Sequence, residues 1–187
     1  MSLILASQSP YRRELLNRLK VPFECINSKL DEVPYKKEID DPKYLSEKLA
    51  YLKAKKVWDQ RQDSIVIGSD QVCVLGEKKL SKPKTFEKAC EQIQELSGKT
   101  HQLYTSVSII TAAKDISWTD TTNLTMRELT DSEIIDYVKQ DDPLMCAGSY
   151  KIESLGISLF SRIDTQDFTA ITGLPLIMLS EYLRELL

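Results

Sequence analysis

The chain has 187 residues, of which 42% are hydrophobic and 28% are charged, and its net charge is −3. That length suffices for one well-packed domain, or for one domain with two lobes. The slightly negative charge argues against a general binder of nucleic-acid polymers or membranes, and no apolar stretch approaches the roughly 20 residues of a membrane span. The apolar start SLILA is too short for a secretion signal, so we expect a cytoplasmic protein.

Cysteine and histidine content limits the kinds of metal site and disulfide that the chain can form. The four cysteines, Cys25, Cys73, Cys90 and Cys146, have no CxxC spacing and lie in or beside apolar segments. This pattern predicts buried free thiols in a reducing compartment. A chain with one histidine has no His-rich metal site. A bound metal would therefore be a hard cation held by carboxylates.

The first half of the chain alternates between predicted strands and helices. SLILA predicts a buried strand, and the helix after it is capped by Ser9, starts at Pro10 and runs to about Lys20. PFECIN predicts a short strand, and DPKYLSEKLAYLKAKKVWDQ predicts a long amphipathic helix. SIVIGSD predicts a buried strand that ends at Gly-Ser-Asp.

The second half predicts a more antiparallel arrangement. QVCVLGEKKL predicts a short hairpin, and TFEKACEQIQEL predicts a helix closed by Ser-Gly. HQLYTSVSIITAA and DISWTDTTNLTMREL predict strands, and Thr130 with Glu133 forms a capping box that opens another helix. Gly148 and Gly156 bracket a predicted short polar strand, and GLPLIMLSEYLRELL predicts a final helix. Early βα units followed by this stretch predict an α/β domain with a second, mixed lobe.

The stretch ASQSPYRR predicts an anion site where the first strand meets the first helix. Unpaired backbone N–H groups and the positive end of the helix dipole attract anions there. Ser7 and Ser9 add hydroxyl donors, and Arg12 with Arg13 adds forked cations that match phosphate oxygens. The same residues also fit an ordinary serine cap followed by a solvated basic turn.

Acidic and basic residues elsewhere form a second candidate set. Asp70 ends a predicted buried strand, where α/β folds place ligands, so it is a candidate metal ligand or general base, although an Asp that caps a tight turn fits the same position. Gln71 carries an amide that could recognise a neighbouring group, and Glu32 in SKLDEVP could supply a further carboxylate for Mg²⁺. Lys53 and Lys82 fit surface lysines when each is considered alone, although Pro83 fixes the backbone beside Lys82.

A third candidate is Glu153, in CAGSYKIESLG. Strand alternation would place it on the face opposite Ile152, and an exposed glutamate on a strand commonly has no further role. If Glu153 instead faces a ligand, its carboxylate can accept hydrogen bonds from the N1–H and N2–H₂ groups of guanine together.

The motifs taken together resemble the Maf family of nucleotide pyrophosphatases. They cover nearly the whole chain in the family's order: LILASQSPYRRELL, the DE of LDEVP, LAYLKA, IGSDQVCVL, LSKP, ELSGKTHQLYT, CAGSYKIESLG and GLPL. The resemblance implies a single domain over residues 1–187, with an α/β fold similar to that of inosine triphosphate pyrophosphatases. In that fold, a mixed sheet has helices on its faces, and two lobes surround a cleft.

The resemblance also implies a chemistry and its residues. It predicts a cytoplasmic, commonly dimeric enzyme that uses Mg²⁺ or Mn²⁺ to cut nucleoside triphosphates to monophosphate and pyrophosphate. The family's catalytic acidic residue falls on Asp70, which with Glu32 would hold the metal. The phosphate- and metal-handling positions fall on Ser7, Arg12, Arg13, Glu32, Lys53 and Lys82.

Tyr11 and Glu153 indicate the branch of the family. Relatives that favour dTTP and UTP often have an arginine where Tyr11 stands and a glutamine where Glu153 stands. An aromatic residue with a glutamate is similar to the branch that acts on 7-methyl-GTP, although that branch more often has Trp at position 11. The physical chemistry agrees, since N7-methylation makes guanine cationic, and a cation is stabilised by an aromatic face and a carboxylate. Thr165 departs from the glycine that the family often has there.

Two alternatives remain from the sequence alone. One is a dTTP/UTP pyrophosphatase of the same family, which Tyr11 and Glu153 disfavour. The other is a nucleotide-binding regulator of cell division that needs no turnover. A regulator would have no need of a costly charged cluster such as Asp70, Glu32 and the two arginines, so an enzyme of nucleotide house-cleaning is favoured.

Overall fold

The computed structural model describes residues 2–187 of the chain. Its strands are β1 (Leu3–Leu5), β2 (Glu24–Cys25), β3 (Ile65–Leu75), β4 (Lys78–Leu80), β5 (Thr100–Ile110), β6 (Asp115–Met126) and β7 (Phe160–Asp164). Its helices are α1 (Pro10–Asn17), α2 (Val33–Glu38), α3 (Pro42–Trp58), α4 (Phe86–Leu96), α5 (Asp131–Asp141), α6 (Phe168–Ile171) and α7 (Leu176–Leu186). Two 3₁₀ turns cover Ala147–Ser149 and Leu155–Leu159.

The strands form a mixed sheet with the order β2-β1-β3-β5-β6-β7, and β4 pairs with β3. β1 is parallel to β2 and to β3, whereas β4 is antiparallel to β3 and β7 is antiparallel to β6. The predicted α/β class with a mixed sheet is confirmed. Within residues 2–187, no helix has both the length and the apolar character to cross a membrane.

The chain divides into two compact units, and the first contains Met1–Gln71, Tyr104–Asp120 and Asp167–Leu187. Its core has two clusters, one on each face of the strands. One cluster holds Leu5 and Ile67 with residues of α1 and α7, and the other holds Ile4 and Val66 with residues of α3. This division follows from strand alternation, because successive side chains point to opposite faces.

The second unit contains Val72–Leu103 and Thr121–Gln166. Helices α4 and α5 pack against each other within it and bury apolar residues such as Ile93 and Val138. The chain's histidine, His101, is buried here, and its Nε2 atom lies 2.8 Å from the Tyr150 hydroxyl. Burial lowers the pKa of His101 to about 4.

The predicted helix caps are confirmed. Ser9 accepts a hydrogen bond from the Arg12 backbone N–H, with Pro10 at the start of α1. Thr130 and Glu133 form both hydrogen bonds of the capping box at α5. These elements were predictable because a cap depends on residues within one helical turn.

Three other expectations were wrong in detail. β3 does not end at Gly-Ser-Asp but continues to Leu75, because its second half pairs with β4. The segment between Gly148 and Gly156 forms turns rather than a strand, so Glu153 is exposed beside a buried Ile152 without strand alternation. The four cysteines are free, as predicted, but among them only Cys73 is buried and Cys25 is exposed.

Candidate active site

The junction of β1 and α1 presents the predicted serines and arginines. The backbone N–H of Ser9 donates to the Ser7 hydroxyl oxygen at 3.1 Å, and the Ser9 hydroxyl oxygen caps α1 at a distance of 3.4 Å from the Arg12 backbone nitrogen. A hydroxyl that accepts in this way retains its own proton as a donor. The junction therefore has the elements of an anion site at the start of an eight-residue helix.

The two arginines of α1 differ in environment. Arg13 is exposed, whereas Arg12 is partly buried and its Nε donates to the Gly173 carbonyl oxygen at 2.8 Å. Burial lowers the pKa of Arg12, and the negative charges of Asp70 and Glu32 oppose that change. Because an arginine remains protonated in proteins, Arg12 is a fixed cation near both carboxylates.

Alternation along β3 decides which groups Ser69 and Asp70 meet. Ile65, Ile67 and Ser69 share the face toward α1 and α7, and Ser69 donates to the Gly173 carbonyl oxygen at 2.8 Å. Asp70 lies on the opposite face with Val66, toward α3. Asp70 is 7% exposed and lies inside a strand, so its charge needs a partner.

Helix α3 supplies that partner because it packs directly on β3. A Cβ atom on Gly68 would lie 2.2 Å from the Ala50 carbonyl oxygen and 2.7 Å from the Ala54 backbone nitrogen, so the glycine permits the close approach. Lys53 follows Ala50 by three residues, so both side chains lie on the same side of α3. Its ammonium consequently reaches Asp70.

The Lys53 ammonium lies between two carboxylates. Its Nζ is 2.5 Å from Oδ1 of Asp70 and 2.7 Å from Oε1 of Glu32. The side chains of Lys53 and Asp70 are 12% and 9% exposed, and Glu32, at the start of α2, is more open to solvent and also pairs with Lys36. Burial raises the pKa of Glu32, but Lys53 and Lys36 outweigh it and bring the pKa to about 2. The carboxylate of Glu32 and that of Asp70 thus each have a cationic partner.

The donor chemistry of Glu32 and Asp70 fits a divalent metal ion. Mg²⁺ is commonly held by one or two carboxylates, with substrate phosphates and water completing its coordination. Two carboxylates whose oxygens lie within hydrogen-bond distance of one ammonium nitrogen provide such a set. Among residues 2–187 there is no group of three or more acidic, histidine or cysteine side chains arranged for a metal ion.

Gln71 follows Asp70 in β3, but its amide nitrogen is directed to the protein itself. Nε2 of Gln71 lies 2.9 Å from each of three acceptors: the Thr105 hydroxyl oxygen and the carbonyl oxygens of Ala170 and Ile171. Direct recognition of a base by Gln71 would thus depend on its carbonyl oxygen. Its predicted role in specificity stays a prediction.

The remaining predicted residues are distributed over both units. Tyr11 is partly buried in the first turn of α1, within the first unit. Lys82 and Glu153 belong to the second unit, and both are exposed. All the other predicted site residues belong to the first unit. Contacts or charge interactions within it join Arg12, Glu32, Lys53 and Asp70.

Sequence reasoning missed the roles of Gly173 and Ser69. The Gly173 carbonyl accepts from Arg12, and the Ser69 hydroxyl donates to the same carbonyl. The motifs GLPL and IGSD contain these two residues, but neither motif indicates a contact with Arg12. The signal available was a glycine directly before Leu-Pro at the start of a helix, which is typical of a special backbone conformation. Its contact with Arg12 joins residues 161 positions apart and could not be found from local patterns.

Comparison with known proteins identifies the family of the chain. A family model described as "Maf: Maf-like protein" matches residues 2–186. The chain belongs to the Maf family. A Bdellovibrio bacteriovorus protein named 7-methyl-GTP pyrophosphatase is 45% identical over 97% of this chain and 95% of its own length. Proteins of the same name from Nitrosococcus oceani and Aliivibrio fischeri are 41% and 40% identical, each over 98% of this chain and over 92% and 95% of their own lengths.

One solved structure has a weaker likeness to this Maf chain. It is a nucleoside-triphosphatase, or dITP/XTP pyrophosphatase, from Mycobacterium abscessus, with a TM-score of 0.42 and 12% identity. The likeness covers 69% of this chain and 76% of the other. A likeness of that size supports no conclusion about the site, so the α/β assignment here depends on the strands and helices of this chain.

Proposed function

We propose that this Maf protein hydrolyses the α–β phosphoanhydride of 7-methyl-GTP, which yields 7-methyl-GMP and pyrophosphate. The observation that carries the proposal is the Lys53 ammonium between Asp70 and Glu32, in the unit that also holds the α1 N-terminus. Relatives at 40–45% identity that are named 7-methyl-GTP pyrophosphatase support the substrate. The proposed biological role is removal of modified nucleotides in the cytoplasm.

In this proposal the α1 N-terminus binds the triphosphate. Ser7 and Ser9 donate through their hydroxyl protons, and Arg12 and Arg13 bind phosphate oxygens from two directions, since adjacent helical residues are about 100° apart. Lys82 contributes a further cation. These groups stabilise the negative charge that develops on the leaving pyrophosphate.

The carboxylates act at the bond that breaks. Asp70 accepts a proton from the attacking water, and the ion pair with Lys53 holds the Asp70 carboxylate in place. Asp70 and Glu32 would hold Mg²⁺ or Mn²⁺, which when bound supplies charge neutralisation at the phosphates. Arg12 balances the local negative charge from the other face of β3.

The proposal assigns base choice to Tyr11, Gln71 and Glu153. An aromatic face such as that of Tyr11 and a carboxylate such as that of Glu153 each stabilise a cationic 7-methylguanine. Glu153 accepts from N1–H and N2–H₂ of the base, whereas the oxygens and the single N–H of uracil or thymine offer it a poorer match. A homodimer, which the family resemblance implies, is part of the proposal and is tested by light scattering.

A substrate screen tests the proposal. The purified protein is incubated with 7-methyl-GTP, GTP, UTP, dTTP and dITP in Mg²⁺ or Mn²⁺, and the nucleotide products are separated. We expect 7-methyl-GMP and pyrophosphate with the highest kcat/KM. Release of a diphosphate and inorganic phosphate would identify a different bond, and a preference for UTP or dTTP would move the chain to the other branch of the family.

A further inference from the structure

The Gly173 carbonyl oxygen is an acceptor shared by two side chains of the candidate site. Nε of Arg12 and the hydroxyl of Ser69 each donate to it at 2.8 Å. Arg12 comes from α1 and Ser69 from β3, beside Asp70, so one carbonyl connects the phosphate-binding helix with the strand of the catalytic carboxylate. Because Nε is occupied by this bond, the two terminal nitrogens of the Arg12 guanidinium are the ones left to face a phosphate.

The contact requires a glycine at position 173. Its φ of +109° lies in a region that residues with a Cβ rarely adopt. A Cβ atom there would lie 3.2 Å from Nε of Arg12 and 3.6 Å from one of its terminal nitrogens. Any side chain would therefore press on the guanidinium as well as strain the backbone.

Asp167 holds the backbone on both sides of Gly173. Its carboxylate is buried and accepts from the Thr169 N–H at 2.9 Å, the Thr169 hydroxyl at 2.6 Å and the Ile177 N–H at 2.7 Å. The Thr169 hydroxyl oxygen accepts in turn from the Leu176 N–H at 2.9 Å. One carboxylate thereby fixes the starts of α6 and α7, and Gly173 lies in the short connection between them.

Gln71 joins the same connection to β3. Its amide nitrogen donates to the carbonyl oxygens of Ala170 and Ile171, at the end of α6. The connection is thus held by Asp167 from within and by Gln71 and Ser69 from the neighbouring strand. A carbonyl that belongs to a connection held in this way can fix the direction of the guanidinium that it binds.

We propose that Asp167 and Ser69 are positioning residues that orient the Arg12 guanidinium through the Gly173 carbonyl. The inference rests on the proposed phosphate-binding role of Arg12. Holding the guanidinium in place before the triphosphate arrives removes part of the entropy cost of binding. It also keeps the partly buried cation from folding back onto Asp70 and Glu32 on the other face of β3.

A double-mutant cycle tests the inference. Asp167→Asn replaces one acceptor oxygen by an NH₂ group that faces an N–H or O–H donor, so at least one of its hydrogen bonds is lost. We expect kcat/KM to fall about tenfold, since misplacement of a reacting group by about 1 Å costs up to about 100-fold. In an Arg12→Ala background, the same change should lower kcat/KM less than about twofold, because the group it orients is gone.

Two further variants complete the design. Ser69→Ala removes one donor to the Gly173 carbonyl without adding bulk. Its decrease in kcat/KM should also disappear in the Arg12→Ala background. This variant decides the question if Asp167→Asn does not fold. Asp41→Asn is the matched control, since Asp41 caps α3 from an exposed position and should leave kcat/KM unchanged.

The outcomes separate the inference from the proposed function. If Arg12→Ala lowers kcat/KM but the Asp167 and Ser69 changes keep their full effect in that background, the positioning role is wrong and the proposed function stands. If Arg12→Ala itself leaves kcat/KM unchanged, Arg12 does not bind the triphosphate, and the inference is wrong with it. If the effect of the Asp167 or the Ser69 change disappears in the Arg12→Ala background, and each change has the same effect on thermal stability in both backgrounds, the residues are coupled to Arg12 and the inference is supported.

Discussion

Asp70→Asn is the substitution that bears most directly on the chemistry. It keeps the shape of the side chain and removes the charge that lies 2.5 Å from the Lys53 ammonium. Loss of a general acid or base typically lowers turnover by about 10²–10⁴-fold, and we expect a loss in that range for 7-methyl-GTP. The fold should survive, because Lys53 keeps Glu32 as a partner at 2.7 Å.

The expected stability change follows from that second partner. Removing one member of a buried ion pair costs about 3–5 kcal/mol when the other charge is left unpaired. Here Lys53 stays paired, so the loss reduces to that of one charged hydrogen bond, about 1.5–3 kcal/mol. Pyrophosphate release measures turnover, and urea unfolding measures stability.

A control variant and a limit on activity make this prediction refutable. Asp136→Asn, on the exposed side of α5, removes the same charge in the second unit and should change neither quantity. Turnover of Asp70→Asn within about tenfold of the wild type would remove Asp70 from the catalytic role. Unfolding of the variant at neutral pH would instead show that Lys53 is not adequately paired by Glu32.

Further substitutions and conditions test other parts of the site and fold. Arg12→Ala and Arg13→Ala should each lower kcat/KM far more than Lys20→Ala, and equal kinetics in all three would leave an ordinary cap. Stability should be held or raised in Arg13→Ala, because an exposed cation in a first helical turn opposes the helix dipole unless an anion is bound. Glu153→Gln should lose 7-methyl-GTP activity by roughly 10–150-fold and gain relative activity on UTP, and an unchanged preference would mean that the carboxylate does not recognise the base. EDTA should abolish turnover, and Mg²⁺ or Mn²⁺ should restore it. Burial lowers the pKa of His101 to about 4 in the folded protein, whereas an unfolded histidine has a pKa of about 6.5. As the pH falls, the unfolded state therefore binds the proton at a higher pH than the folded state does. We expect about 3 kcal/mol of stability to be lost as the pH falls from about 6.5 to 4. NMR titration of this imidazole checks the pKa directly, and an ordinary midpoint near 6.5 would contradict it.

Local signals predicted the parts of the site that lie within one turn of chain. The serine cap and Pro10 at the start of α1 follow from residues adjacent in sequence, as does the long helix α3 that carries Lys53. Strand alternation also separates Ser69 from Asp70 once β3 is recognised. The end of β3 was harder to predict, because pairing with β4 continues the strand past a polar Asp that usually signals a turn.

Long-range contacts were out of reach of the sequence alone. Lys53 fits a surface lysine when considered alone, and only the approach of α3 over Gly68 brings it to Asp70. Glu32 reaches the same ammonium from a loop 21 positions away, and neither pairing follows from periodicity. The turns around Glu153 also depend on tertiary hydrogen bonds, such as those from Ser154 and Gly156 to the Asp141 carboxylate.

The position of Lys53 is compatible with the phosphate-handling role that the family resemblance implies. In the structure its ammonium contacts carboxylates, not the helix N-terminus that would hold a phosphate. Two unneutralised carboxylates would repel a triphosphate, because like charges a few ångströms apart interact strongly where water is partly excluded. Lys53 pairs with both carboxylates, Lys36 pairs with Glu32, and the Arg12 cation lies close enough for both carboxylates to affect its pKa. We therefore expect Lys53 to favour triphosphate binding through the carboxylates it pairs with, even without a direct contact to a phosphate oxygen.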